Sequence, residues 1–149
     1  MIKLREITLN NFEDVLKLEV SEDQKSFVST TAYSLAQAYV CRENVYPFAI
    51  YADNTPVGFI MFGYYEARSQ YTLWKLLIDK KYQNKGYGKN ALLLGIKYMK
   101  DEHKINKLYV GVSLVNEVAE HLYKSVGFQL TGLVENGMKE LCYDYMTEL

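Results

Sequence analysis

Cysteine is scarce. Cys41 and Cys142 are the only two in 149 residues, and they form neither a metal spacing nor a disulfide framework. No metal is expected, and a reducing cytoplasm is the expected setting. Proline is as scarce, with Pro47 and Pro56 alone, and no repeat, low-complexity tract or linker interrupts the chain. One domain over residues 1–149 is therefore expected. No stretch reaches the roughly 18 apolar residues of a membrane span. The opening segment MIKLREITLNNFEDV has no long apolar run, so no signal peptide is expected. An excess of one charge is also missing: 17 Lys and Arg face 18 Asp and Glu, for a net charge of −1 and a pI near 6.1. That argues against nucleic acid as the main partner. It leaves a small cationic partner open.

What is present suits a folded soluble protein: 49% hydrophobic and 23% charged residues. Tyrosine is unusually frequent at 14. Its ring packs like a hydrophobe while its hydroxyl stays polar, which suits sheet faces and clefts.

Along the chain, Met1 to Thr8 alternates like a strand. Asn10 or Asn11 then caps a helix with Phe12, Val15, Leu16 and Leu18 on its apolar face. A polar stretch, Ser21 to Thr31, precedes a helix from Tyr33 to Arg42. Pro47–Tyr51 and Val57–Tyr64 read as a hairpin across the turn Asp53-Asn54-Thr55-Pro56. Tyr71–Ile78 is a further strand. A helix at Gly88–Lys100, a strand at Lys107–Val112 and a helix at Glu117–Ser125 follow. Gly127 supplies a left-handed end to that helix. Phe128–Val134 and Leu141–Met146 read as a closing strand pair. The order βααβββαβαββ predicts a mixed α/β sheet, with antiparallel hairpins first and a βαβ crossover later.

The run Gln83-Asn84-Lys85-Gly86-Tyr87-Gly88-Lys89 sits between a strand and an amphipathic helix. A helix's first amides have no internal partner and carry partial positive charge. Glycines let those amides approach an anion closely, and Lys85 and Lys89 add charge. On chemistry the run fits a pyrophosphate cradle; a lone GxG also fits a plain turn. It is not a P-loop, and the six-residue dinucleotide fingerprint is incomplete.

At these residues the chain resembles the GCN5-related N-acetyltransferase (GNAT) family, whose pattern Gln/Arg-x-x-Gly-x-Gly/Ala is met by Gln83 to Gly88. The resemblance implies a mostly antiparallel central sheet flanked by helices. It also implies acetyl-CoA as co-substrate. The backbone of Leu76, Leu77 and Ile78 would then pair with the pantetheine arm, and Gln83 to Lys89 would hold the pyrophosphate. The segment Val112 to Phe128 is similar to the family's second signature, with Asn116, Ala119, Leu122, Tyr123, Gly127 and Phe128 in register. Asn116 suits an N-cap, and its amide would also bond the pantetheine arm. Asn116, Ala119 and Tyr123 share one helix face, and small Ala119 leaves room for the cofactor. An ordinary capped helix would present the same residue types. The resemblance assigns Tyr123 as the general acid that protonates the departing thiolate. As an ordinary phenol with a pKa near 10, it would titrate on the high-pH limb of the rate profile.

The base is less defined. The polyamine branch of the family often carries a glutamate at the position held here by Trp74, beside Lys75. Glu66 is a candidate on chemistry alone, though a solvated turn carboxylate reads the same way, and a water chain needs no base. His103, in the charged end DEHK, reads as solvated. His121 lies off the Asn116–Tyr123 face. Cys41 reads as a structural thiol. The runs TLWKLLIDKKYQNKGYGKNAL and SEDQKSFVSTTAYSLAQAY resemble bacterial spermine/spermidine acetyltransferases of the diamine type. Glu19, Glu22, Asp23 and Glu43 are candidate contacts to a polycation beside aromatics; a solvated acidic loop is the plain alternative. The expected partner is a small-molecule amine, and a homodimer through the closing strands is expected by family analogy. Protein N-termini, aminoglycosides and amino acids remain alternative acceptors. A non-catalytic acyl-CoA-binding module is the alternative of a different class.

Overall fold

The structure is a computed structural model and describes residues 1–147. The last two residues of the expected domain lie outside them. Eleven principal elements follow the expected order: β1 (Ile2–Arg5), α1 (Phe12–Leu16), α2 (Thr31–Val40), β2 (Val45–Ala52), β3 (Thr55–Tyr65), β4 (Gln70–Ile78), α3 (Tyr87–His103), β5 (Lys107–Ser113), α4 (Glu117–Ser125), β6 (Gln129–Glu135) and β7 (Met138–Asp144). The strands form one seven-stranded sheet in the order β1-β2-β3-β4-β5-β7-β6. Every pairing is antiparallel except β4 with β5.

β3 explains why the sheet is covered on both faces. Its run Val57 to Gly63 is buried without a break, as a strand packed on both sides requires. Ile60 and Phe62 point to the α3 side, where Leu92, Ile96, Met99 and Phe128 pack. Phe59 and Met61 point to the α1–α2 side, against Val15, Leu18 and Ala38.

Several boundaries differ from the sequence expectation for local reasons. Asn11 occupies the position before α1, yet its side chain does not cap that helix. Its Oδ1 accepts from Thr8 N–H at 2.8 Å, and its Nδ2 donates to the Glu6 carbonyl, so it ties down the preceding loop. Helix α2 begins at Thr31 rather than Tyr33 because Thr30 caps it, its hydroxyl accepting from Tyr33 N–H at 3.1 Å. β2 begins two residues before Pro47. The ladder with β1 stops at Ala49, so the missing proline N–H leaves no bond unmade. β7 begins at Met138, not Leu141. Asn136 and Gly137 both take positive φ, 53° and 76°, and Glu135 pairs with Met138. That is the two-residue hairpin an Asn-Gly pair favours. At the other end Met146 lies in a single 3₁₀ turn, Tyr145–Thr147.

Helix α4 closes as expected. Phe128 N–H donates to the Tyr123 carbonyl and Gly127 N–H to the Lys124 carbonyl, both at 3.1 Å. With Gly127 at φ 116°, this is the Schellman arrangement that satisfies the last carbonyls.

Candidate active site

β4 and β5 run parallel but pair only at Thr72↔Tyr109 and Leu73↔Val110. Beyond these residues the ladder with β5 ends. β4 stays bonded to β3 as far as Ile78, so its other edge faces a gap. Trp74 is the extra residue of a β-bulge, since Leu73 pairs with Phe62 and Lys75 with Met61. Bulges of this kind often re-aim groups beside active sites.

The gap opens into a cleft of about 670 Å³. One wall carries Leu73 to Leu76 from β4 and Val110 to Ser113 from β5. The α4 face contributes Asn116, Ala119 and Tyr123, the three residues that helical spacing places together. The rest comes from Ser26 to Ser29, which lead into α2, and from Asn136 to Met138 in the β6–β7 hairpin. Leu76 lines the cleft and packs against the α3-side core. Leu77 instead points into the α1–α2 core, and Ile78 packs on the α3 side. All three lie past the last β4–β5 pair.

Asn116 caps α4 through Oδ1, which accepts from Ala119 N–H at 3.2 Å. Its Nδ2 is not used in that cap. Tyr123 is buried, with 8% exposure. Desolvation pushes its phenol up to about 12, so the ordinary value near 10 does not hold in this setting. The hydroxyl stays protonated through the working range of an enzyme.

The turn after β4 has the conformation that an anion cradle needs. Gly86 is the residue before α3 and sits at φ 80°, where a side chain would be strained; a Cβ built there meets nothing within 4 Å. No side chain caps the helix and no acidic residue lies in its first turn, so the first amides are left for an external partner. Asn84, Lys85, Gly86 and Lys89 are exposed; Gly88 and Tyr87 are half-buried. A Cβ on Gly88 would come no nearer than 3.5 Å to Ile78. These residues fit a pyrophosphate.

Gln83 is used differently from the others. Its Nε2 donates to the Ile78 carbonyl at 2.9 Å and to Gln24 Oε1 at 2.8 Å, so it braces the turn by its side chain. Asp79, only 2% exposed, accepts from Lys81 N–H and Glu19 N–H. A carboxylate that ends an apolar strand is the sequence signal for this buried brace.

The expected acidic contacts do not converge. Glu19 pairs with Lys80 at 2.7 Å, and that contact holds its carboxyl below the usual range. Glu22 pairs with Lys25 at 2.7 Å. Asp23 accepts from the Ser21 hydroxyl. None of the three lines the cleft, because local cations and hydroxyls already engage them. Glu43 lines a second recess of about 420 Å³ with Arg42, Asn44, Tyr64, Glu66 and Trp74. Glu66 accepts from Asn44 Nδ2 at 3.1 Å. Trp74 lines both recess and cleft, so the two adjoin. Lys75 went unassigned in the sequence reading, although a lone lysine in the apolar run TLWKLLI was visible. Among the described residues it is the one charged side chain lining the cleft.

His103 is not solvated. α3 runs to His103, one turn beyond buried Met99. Its ring lies 4.1 Å from Tyr46, centroid to centroid, with Tyr71 and Tyr98 also in contact. His121 is exposed, and Cys41 and Cys142 are free, half-buried thiols.

Known proteins share this fold and family pattern. Residues 12–128 match the acetyltransferase (GNAT) family. A spermine/spermidine N(1)-acetyltransferase of Bacillus subtilis is 32% identical over 145 residues, covering 93% of this chain and 95% of that one. A spermidine N-acetyltransferase from Vibrio cholerae, solved with CoA and spermine, superposes with a TM-score of 0.77 at 16% identity, over 97% of this chain and 96% of that one. A PaiA N-acetyltransferase of Thermoplasma acidophilum in complex with coenzyme A gives 0.72 at 20% identity, over 97% and 99%. At such identities the two structures speak for the fold. The chain belongs to the GNAT acetyltransferase family and is an N-acetyltransferase that takes its acetyl group from acetyl-CoA.

Proposed function

We propose that the enzyme acetylates a primary amine of a polyamine such as spermidine or spermine, with Tyr123 as general acid. The observation that carries the substrate is the recess beside the cleft. Glu43 and Glu66 stand there with Tyr64 and Trp74. Carboxylates and aromatic faces both attract ammonium groups. Among the described residues no carboxylate lines the cleft itself, so the distal charge of a polycation has its complement in the recess while one amine enters the cleft. The 32% identity to a spermine/spermidine acetyltransferase supports the same class.

In this reading the Gln83–Lys89 turn holds the donor's pyrophosphate, and the open edge of β4 holds its pantetheine arm. Backbone N–H groups of β4 beyond Leu73 are placed to polarise the thioester carbonyl. A neutral amine attacks that carbonyl, a C–N bond forms and the C–S bond breaks. Tyr123 gives its proton to the departing sulfur and regains one through water from the new amide nitrogen. The cleft also favours the neutral amine. Burial there lowers the pKa of Lys75, and an entering ammonium meets the same desolvation. A dedicated base is then unnecessary, and Glu66 is left to bind.

Steady-state rates over spermidine, spermine, amino acids, a peptide and an aminoglycoside test the substrate. A polyamine should give the highest kcat/KM. A peptide or aminoglycoside that exceeds every polyamine rules this reading out.

A further inference from the structure

Lys75 extends from β4 into the cleft that Tyr123, Asn116 and Ala119 also line. Its Nζ donates to the Ser29 hydroxyl at 2.9 Å and lies 5.7 Å from the Tyr33 ring centre. Neither neighbour carries a charge. Lys25, Lys80, Lys97, Lys124 and Lys139, by contrast, are each paired with a carboxylate. Lys75 is thus a primary amine held by one neutral hydroxyl, inside the cavity where an acetyl group is to be transferred. Burial favours its neutral, nucleophilic form.

We propose that Lys75 is an internal acceptor: with no free amine present, the enzyme acetylates Lys75 Nζ from its own bound acetyl-CoA. The inference rests on the reading of this cleft as the acetyl-transfer site. The neutral Nζ attacks the thioester carbonyl and a C–N bond forms. The C–S bond breaks, and its electron pair leaves on the CoA sulfur. The attacking nitrogen loses one proton to water, and the sulfur gains one from Tyr123, which is reprotonated from water. The products are CoA thiol and Nζ-acetyl-lysine. Tethering makes the step effectively unimolecular, which favours it over attack by exposed lysines. The product also removes the Lys75 charge from the cleft wall, so a polycation meets less repulsion there.

The test is peptide-resolved mass spectrometry of the purified protein with isotope-labelled acetyl-CoA and no amine. Acetyl phosphate, which has no pantetheine arm, serves as the control donor, and Lys75→Arg as the control protein. With acetyl-CoA, Lys75 should label about tenfold or more faster than any exposed lysine, as tethered attack predicts. With acetyl phosphate, exposed lysines should label first. The Arg variant should lose the fast label. Calorimetry of CoA binding is run alongside. If CoA binds but Lys75 labels no faster than exposed lysines, the proposal is overturned and the cleft reading stands. If CoA does not bind, the cleft reading falls and the proposal falls with it.

Discussion

The proposed donor and acceptor sides of the site are assembled by different means. The proposed donor side uses two contiguous segments, residues 83–89 and 116–123, each shaped largely by local contacts. Gly86 sets the entry to α3, Asn116 caps α4 and the Schellman bonds close it. The acceptor side draws on Ser26–Ser29, Trp74–Lys75 and the hairpin at Asn136–Met138, and its recess adds Glu43 and Glu66. Those pieces are held by tertiary contacts. Arg68 grips Glu135 of the hairpin at 2.7 Å, and Asn44 holds Glu66. Exposed contacts of this kind are worth about 0–1 kcal/mol each. The Gln83–Gln24 bond ties the turn to the loop before Ser26, but the recess residues Glu43 and Glu66 lie away from it, so recess and turn should fail separately when mutated.

The largest separation should come from Gly86→Asp. The variant forces a side chain into φ 80° and puts a negative charge where the phosphate would sit. Strain of about 1–2 kcal/mol and lost anion stabilisation together predict about 10²-fold weaker CoA binding or more. Gly88→Ala sharpens the result. The fold has room for that methyl, so any loss of CoA affinity comes from crowding the ligand. Unchanged affinity by calorimetry in both folded variants would remove the cradle from this turn.

Tyr123→Phe should come next. It keeps the ring packed against Phe128, whose centroid is 5.6 Å away, and removes only the hydroxyl. General acid catalysis is typically worth about 10²–10⁴-fold. The drop should fall on kcat, with acetyl-CoA affinity nearly unchanged. The wild-type rate profile should show no limb near pH 10 from this residue, because burial holds the phenol up to about 12. A variant with full kcat under rate-limiting chemistry would make Tyr123 a packing residue.

This division also explains what the sequence could reveal. Element order follows from hydrophobic period. The Gly86 turn and the Asn116–Tyr123 face were legible because contiguous motifs encode their own geometry. The acidic cluster misled: nothing local announces that Lys80, sixty-one residues away, engages Glu19. The Glu43–Glu66 recess and the place of Lys75 in the cleft depend in the same way on distant segments that converge only once the sheet forms. The start of β7 is a different case. Asn136-Gly137 is a local hairpin signal that outweighs the apolar pattern beginning at Leu141.

On the acceptor side the expected effects are smaller. Glu43 and Glu66 are exposed, so each carboxylate is worth about 1 kcal/mol to a cation at most. Glu43→Gln and Glu66→Gln should each lower kcat/KM for spermidine by about three- to fivefold. The KM for acetyl-CoA should stay fixed. Raised salt should shrink the difference. Equal losses for a neutral monoamine and for spermidine would break the assignment of the recess to a distal ammonium.

The smallest effect lies outside both sides and gives the reference for them. His103 ends α3, where the helix dipole and neighbouring Glu102 favour the imidazolium. Tyr46 of β2, Tyr71 of β4 and Tyr98 of α3 pack around the ring, and Nε2 is buried without a partner. Burial outweighs the Glu102 charge, and the pKa falls below the ordinary 6.5. The unfolded chain then binds this proton at a pH where the folded chain does not. Stability is accordingly full above the ordinary histidine pKa and declines as pH falls through it toward the lower folded value. His103→Phe keeps a ring in the cluster and cannot titrate. Urea unfolding of both proteins at about pH 7.5 and about pH 5 isolates the residue, since the carboxylates are common to both. Wild type should lose more stability on acidification than the variant. Equal losses would mean that water or a neighbouring group supports the protonated ring, and that the aromatic cluster does not keep His103 neutral.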